Sequence, residues 1–384
     1  MTSGNVRPSS VRYRLMARLC VGAAALLLVA SCQQSGSSSP PAPAADACAR
    51  TAASTGDCGG MDRLVAMARS EGTLNVIGLP RAWANYGALL DGFQAKYGIK
   101  ITSLNPNGDS LDEIAAVTSA GKTANAPDVL DLRIQVAASN ATMFTPYKVS
   151  TWNDIPDGQK DSNGQWFEDY GGYMSVGYDS SRVPAIASID DFAAAKFRYK
   201  VGLDGDPIQA DSALGAVMMA SLAEGGTLPD ISRGVAYFHQ LKLKGHWFNL
   251  QATSKTIQNG STPVVFDWDY VALANGKNLP SWKVYVPNAA VVGGFYAQAI
   301  NKNAPHPAAA RLWEEYLYSD AGQNLWLQGL VRPVRLPVME TAGTVDQFAD
   351  SALPAITGVP VFMTPDAIAA ARTYLSSHWT AAIS

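Results

Sequence analysis

The sequence predicts an α/β fold, with a parallel sheet covered on both faces by helices. From Asp62 onward, short apolar runs of strand length alternate with segments whose apolar residues recur at helical spacing. The chain has 384 residues, 47% hydrophobic and 16% charged, which is enough for two domains with real cores.

Taken in order, Leu64 to Ser70 reads as a short helix ended by Glu71-Gly72. Leu74-Asn75-Val76-Ile77 is a buried strand. Leu89, Leu90, Phe93 and Tyr97 then mark a helix that stops at Gly98. Ile99 to Thr102 is the second strand and Asn105-Pro106-Asn107-Gly108 a turn. Ser110-Leu111-Asp112-Glu113 is a capping box that opens the next helix. Asp128 to Leu132 forms the third strand. The pattern recurs with a strand at Tyr199 to Leu203, a helix capped by Asp211 or Ser212, and another helix from Ile231 to Leu243. Val264 to Phe266 is a strand leading into a helix through Ala272-Leu273-Ala274. Trp282 to Val286 and Val291 to Phe295 are further strands, and the tail from Ala308 is helical. No internal repeat stands out.

The first residues belong to no fold. Arg7, Arg12, Arg14 and Arg18 precede an apolar run, Leu19 to Ala30, too short to span a bilayer comfortably; together they form an export signal. Leu28-Val29-Ala30-Ser31-Cys32 resembles the end of a bacterial lipoprotein signal, although that family more often has Leu where Val29 stands. The resemblance implies that residues 1–31 are removed and that Cys32 is lipidated. The alternative is an ordinary secretory signal with a chance cysteine. The Ser-, Pro- and Ala-rich stretch after Cys32 reads as a flexible tether, expected over residues 32–60. Lipid and tether would hold the protein at the outer face of the membrane. An exported compartment permits a disulfide between Cys48 and Cys58; otherwise both are free thiols.

The 29 basic residues balance 32 acidic ones with no basic run, so nucleic acid is not an expected partner. Enzyme motifs are also missing. Gly121-Lys122-Thr123 imitates a phosphate-binding loop, but Ala116 stands where its first glycine belongs. The four histidines form no metal-spaced pair, and no Gly-x-Ser-x-Gly elbow occurs. No cofactor or metal is expected. An exported hydrolase and a purely structural lipoprotein are the alternatives from other classes.

Three stretches then resemble the extracellular solute-binding proteins of ABC importers, in the branch serving ferric iron, polyamines, thiamine and phosphonates. They are Glu71 to Val76 with Trp83 to Tyr86 and Phe93 to Ile101; Ala126 to Asp131; and Asn303 to Trp313 with Tyr318 to Gln323. The resemblance implies the periplasmic-binding-protein type II fold: two α/β lobes joined by crossover strands, with a ligand cleft between them. The crossovers are expected near Gly172 to Tyr178 and Gly293 to Ile300, giving lobe 1 as residues 61–172 and 296–384 and lobe 2 as 173–295. It further implies a monomer whose partners are a small solute and an ABC permease.

Ligands in open α/β sheets sit at the carboxyl ends of the strands. That rule nominates Arg81, Trp83, Tyr86, Asn107, Asp109 and Asp131 in one lobe. In the other it nominates Asp206, Asp211, Asp267, Trp268, Asp269 and Tyr270. Two carboxylates beside an indole suit an amine or polyamine-like cation. Polyamine-binding relatives hold amines with a tryptophan and an aspartate in a comparable segment. Iron-binding relatives carry adjacent tyrosines there, where this chain has Trp268-Asp269. A phosphonate or another anionic or zwitterionic solute, held by Arg81 and helix N-termini, is the rival reading. Structural alternatives are helix capping for Asp109 and Asp211, a turn for Asp267 and Asp269, a local ion pair for Arg81 and packing for Trp83.

Overall fold

A computed structural model describes residues 47–186, 188–194, 201–247 and 250–384. The expected signal peptide, Cys32, the first part of the tether, and Tyr199 and Lys200 of one expected strand lie outside these residues.

The chain opens with α1 (Ala47–Thr51) and α2 (Met61–Glu71), followed by β1 (Thr73–Val76), α3 (Tyr86–Tyr97) and β2 (Lys100–Ser103). Next come α4 (Ser110–Ala120), β3 (Val129–Arg133) and α5 (Ile134–Ser139). A long strand, β4 (Phe167–Asp179), leads to β5 (Val201–Leu203), α6 (Asp211–Ala223), α7 (Ser232–Leu243) and α8 (Ser254–Gln258). Then follow β6 (Val264–Trp268), α9 (Asp269–Gly276) and β7 (Trp282–Tyr285). A second long strand, β8 (Val292–Ile300), returns the chain to α10 (Pro307–Leu317), α11 (Asp320–Gln328), β9 (Arg332–Pro333) and α12 (Leu336–Ala342). The last elements are α13 (Gln347–Asp350), β10 (Val361–Phe362) and α14 (Pro365–Ile383).

The strands lie in the order β2-β1-β3-β8-β4-β6-β5, with β10 beside β8 and with β7 and β9 beside β4. This is the two-lobed α/β architecture. The first half of β4 pairs with β8 and its second half with β6, so one strand serves both lobes. The sheet is mixed rather than parallel throughout. β1 runs parallel to β2 and β3, and β5 to β6, but the β3–β8, β8–β4 and β4–β6 pairs are antiparallel. The reason is directional: β4 carries the chain out of the first lobe and β8 brings it back.

Local chemistry sets the ends that matter for the cleft. Asp109 Oδ1 accepts the N–H groups of Leu111 and Asp112, and Asp112 Oδ2 accepts that of Asp109. The capping box therefore begins one residue before the expected Ser110. α3 ends on Gly98, whose φ of 71° is the left-handed conformation that glycine adopts without strain.

Two domain boundaries differ from expectation. Residues 47–60 are part of the folded body, so the tether does not extend to residue 60. Ala49 and Ala52 are buried, Arg311 of α10 donates to the carbonyls of Ala52 and Arg50, and Cys48 is disulfide-bonded to Cys58. The other difference is α14, expected on the first lobe but packed on α7 of the second. Trp379 meets Phe238 and Trp247 edge-on at 5.5 and 5.8 Å, and Lys242 Nζ donates to the Ile383 carbonyl at 3.0 Å. Large aromatics placed late in a chain bury wherever a complementary apolar face is exposed, whichever lobe carries it.

Trp379→Ala is expected to destabilise the fold by about 3–5 kcal/mol through lost packing and the cavity it leaves. Urea unfolding checks this as a lower midpoint at unchanged slope.

Candidate functional site

The site grows from the central strands. Alternation along β3 puts Asp131 and Arg133 on one face. In register on β8, Gln298 lies opposite Asp131 and Tyr296 opposite Arg133. A cavity of about 400 Å³ opens over these rungs, walled by Asp131, Tyr170 and Trp83 on one side and Trp268 and Tyr270 on the other.

Asp131 is the best-defined group in it. Its Oδ2 accepts from Tyr86 Oη at 2.7 Å and from Tyr170 Oη at 3.1 Å, whereas its buried Oδ1 has no hydrogen-bond donor. Gln298 Nε2 donates to Tyr86 Oη at 3.2 Å and to Asp169 Oδ2 at 2.7 Å. Asp131 is thus held by one oxygen, and its other oxygen is buried without a donor. Burial pushes its carboxyl up to about 7, against the two phenol hydrogen bonds that hold it down. A buried carboxylate oxygen without a donor is costly to the empty protein and available to a ligand donor.

The aromatic walls meet across the lobes. Trp83 Nε1 donates to Tyr170 Oη at 3.0 Å, and its ring meets Tyr270 edge-on with centroids 5.7 Å apart. Trp268 lies against β8 at Gly294, where a Cβ would stand 2.5 Å from the indole. Any larger residue there would push the ring into the cavity.

Asp211 bridges the lobes. It opens α6 but does not cap it, and its carboxylate receives Gln135 Nε2 at 2.9 Å, Arg133 Nη1 at 3.4 Å and Arg372 Nη2. Its carboxylate therefore joins β3 and α5 to α6 and α14. Asp109 also lines the cavity, with its carboxylate spent on capping α4.

Six expected site residues thus come together: Trp83, Asp109, Asp131, Asp211, Trp268 and Tyr270. The other six stand elsewhere. Arg81 is exposed and paired with Asp91. Tyr86 is buried behind Asp131 and orients it. Asn107 is exposed, and exposed Asp206 accepts the Ile208 N–H. Asp267 points away from the cavity because side chains alternate along β6, so Trp268 faces inward and Asp267 does not, while Asp269, the first residue of α9, turns to Arg332. Asp267 is buried with Oδ1 on the Trp268 N–H and Oδ2 lacking a partner, and burial pushes its carboxyl well up. Asp269 is fully buried; its Oδ2 pairs with Arg332 Nε at 2.9 Å and its Oδ1 accepts the Tyr173 and Tyr270 N–H groups. Its role is structural.

Sequence reasoning missed Glu113, Arg133, Tyr170, Asp204 and Tyr296, all of which line the cavity. Parity would have found two of them. Arg133 is two residues beyond Asp131 on the same strand, and Tyr296 sits within the expected return crossover. Among the described residues, no group of three His, Cys, Asp or Glu side chains is arranged to hold a metal ion. No helix among them is long and apolar enough to cross a membrane.

Residues 127–354 match the family model of the bacterial extracellular solute-binding proteins, and the chain belongs to that family. Its members capture small solutes outside the cytoplasm for ABC importers. No curated protein matches the sequence. Among solved structures, an extracellular solute-binding protein from Bordetella parapertussis is similar at 16% identity and a TM-score of 0.66, over 82% of this chain and 100% of that one. A GABA receptor is similar at 19% identity and TM-score 0.62, over 81% and 97% of the two chains. The apo ferric ion-binding protein of Pasteurella haemolytica aligns at 18% identity and TM-score 0.57, over 81% and 96%. At these identities the likeness establishes the fold.

Arg332→Met is expected to cost about 3–5 kcal/mol, because it strands the buried Asp269 carboxylate. Adding Asp269→Asn is expected to recover much of that loss in urea titrations; if both variants are equally unstable, the ion pair is not the source.

Proposed function

We propose that this solute-binding protein captures a small organic cation, an amine, and delivers it to an ABC permease from a lipid anchor at Cys32. One observation carries the choice of ligand: Asp131, which keeps a buried, donor-free carboxylate oxygen, lines a cavity walled by aromatic rings. An ammonium group supplies the missing donor and neutralises the charge. The ring faces of Trp83, Trp268 and Tyr270 attract the same cation by roughly 0.5–2 kcal/mol. The balance of charge agrees, since Asp109, Glu113, Asp131, Asp204 and Asp211 line the cavity against Arg133 alone. Trp83 and Tyr270 come from different lobes, so a cation between the walls favours lobe closure.

A second reading has its own observation. Tyr170, Tyr270 and Tyr296 share the cavity with Asp131, and phenolates with a carboxylate suit ferric iron. Against it, Tyr170 Oη already donates to Asp131 and accepts from Trp83.

Thermal unfolding against putrescine, spermidine, thiamine, aminoethylphosphonate and ferric citrate separates the readings. A ligand at a hundred times its Kd stabilises by roughly 2.7 kcal/mol. Amines are expected to shift the transition, and Asp131→Asn to weaken them about 10- to 100-fold, the range of a hydrogen bond to a charged group. A shift with ferric citrate alone, lost in Tyr270→Phe, would replace the amine by iron.

The pH dependence has a definite sign. The Asp131 carboxyl lies above its unfolded value of 3.8, at about 7, so the folded state holds the proton more tightly. The empty protein therefore loses stability as pH rises from about 4 to about 7. Amine binding needs the ionised form, so affinity is expected to fall roughly tenfold per pH unit below about 7. Titrations of the Asp131→Asn variant are expected to lack that slope.

A further inference from the structure

Two opposite charges in the cleft are left without a full partner. The negative one is Asp131, which lines the cavity and whose buried Oδ1 has no donor. The positive one lies two residues further along the same face of β3. Asp211 holds Arg372 Nη2 on Oδ1 and Gln135 Nε2 on Oδ2 at 2.9 Å, so its charge is already matched. Arg133 Nη1 adds a longer contact to the same Oδ2, at 3.4 Å. Among the described residues, that contact is the one hydrogen bond or ion pair made by the Arg133 side chain. Two guanidinia therefore face one carboxylate, and a positive charge is left over. With 28% of its side chain exposed, Arg133 holds that charge on the cavity wall.

The other acids of the cleft are differently placed. Asp109 Oδ1 caps α4. Glu113 is buried, with Oε2 on the Asp131 N–H at 3.0 Å, and burial pushes its carboxyl well up, which favours the neutral form. Asp204 accepts from neutral donors, Gln251 Nε2 at 3.2 Å and Ser212 Oγ at 3.5 Å, and is where a second ammonium would find a carboxylate.

Asp131 and Arg133 are about 7 Å apart along the strand. Tyr170, bonded to Asp131, stacks on Tyr296, which lies opposite Arg133, with ring centroids 5.4 Å apart. Both rings line the cavity and give an apolar wall from the acid to the guanidinium. Resting on the amine reading above, we infer that the solute is an ω-amino acid, with its ammonium on Asp131 and its carboxylate on Arg133. One surplus positive charge matches one carboxylate, which a guanidinium can hold through two parallel hydrogen bonds. Arg133 gives up its long contact to make them, and Asp211 keeps Arg372 and Gln135. Methylene groups along the Tyr170–Tyr296 wall join the two ends. An α-amino acid carries both charges at one end of its chain and does not span the two groups.

The test is isothermal titration of the purified protein at pH 8 with 5-aminopentanoate, 2-aminopentanoate, pentylamine and 1,5-diaminopentane, which share a five-carbon chain. The first is expected to bind about 10- to 100-fold more tightly than pentylamine, the range of a hydrogen bond to a charged group. A similar margin is expected over 2-aminopentanoate and the diamine, whose far ends offer Arg133 no anion. Arg133→Gln is expected to close the gap between 5-aminopentanoate and pentylamine, and Arg133→Lys to keep part of it. If Arg133→Gln weakens both solutes equally, Arg133 only ties the lobes and the inference fails. In the unmodified protein, pentylamine or 2-aminopentanoate as tight as 5-aminopentanoate overturns the inference while the amine reading stands. A diamine as tight does the same and moves the second contact to Asp204. If none of the four binds, the amine reading itself fails and the inference falls with it.

Discussion

Everything in this molecule hangs on the antiparallel pairing of β4 with β8. β4 pairs with β8 over its first half and with β6 over its second, so backbone hydrogen bonds along one strand join the two halves of the sheet. Their residues also furnish the site. Tyr170 on β4 holds Asp131, Tyr296 and Gln298 on β8 complete its rungs, and Gly294 leaves room for Trp268. The strands that join the two halves of the sheet therefore also line the cleft.

The energetic character of the cleft follows from what is left unsatisfied there. A fold normally pairs its buried polar groups, and the exceptions need a reason. Asp131 is held by two phenols on one oxygen and by nothing on the other. Asp267 and Glu314 also have unpartnered carboxylate oxygens, but neither lines the cleft. Burial raises both of those carboxyls, which favours their neutral forms. Asp131 differs because it lines the cleft.

Much of the fold was legible in the sequence, because periodicity is a local property. The strand at Leu74, the helix through Leu89 and Phe93, and the third strand ending at Leu132 all follow from spacing alone. Strand pairing was less legible, since direction depends on which strands cross between lobes. The site was half legible. Acids were nominated by position at strand ends, yet the face each one takes follows from alternation. Trp268 faces inward, so Asp267 before it on β6 could not, and Asp269 opens α9 where Arg332 holds it. Asp211 looked like a cap and is an interlobe tie; Arg81 looked like an anion partner and pairs on the surface with Asp91. Such outcomes depend on which partners arrive from distant segments, and one-dimensional spacing carries no information about them.

The discontinuous first lobe has a consequence for how the protein is made. β3 obtains its β8 neighbour from a segment about 170 residues further along, in the pairing of Val129 with Ile300. Until that segment emerges on the outer side, β3 has an open edge of the kind that invites pairing with other chains. Contacts this distant in sequence also fold slowly, because a long loop must close before it gains anything. The second lobe waits longer still, since α14, which covers α7, follows β8 in the chain. A chain cut short before α14 therefore leaves the apolar face of α7 around Phe238 uncovered, and that exposed face is an aggregation hazard.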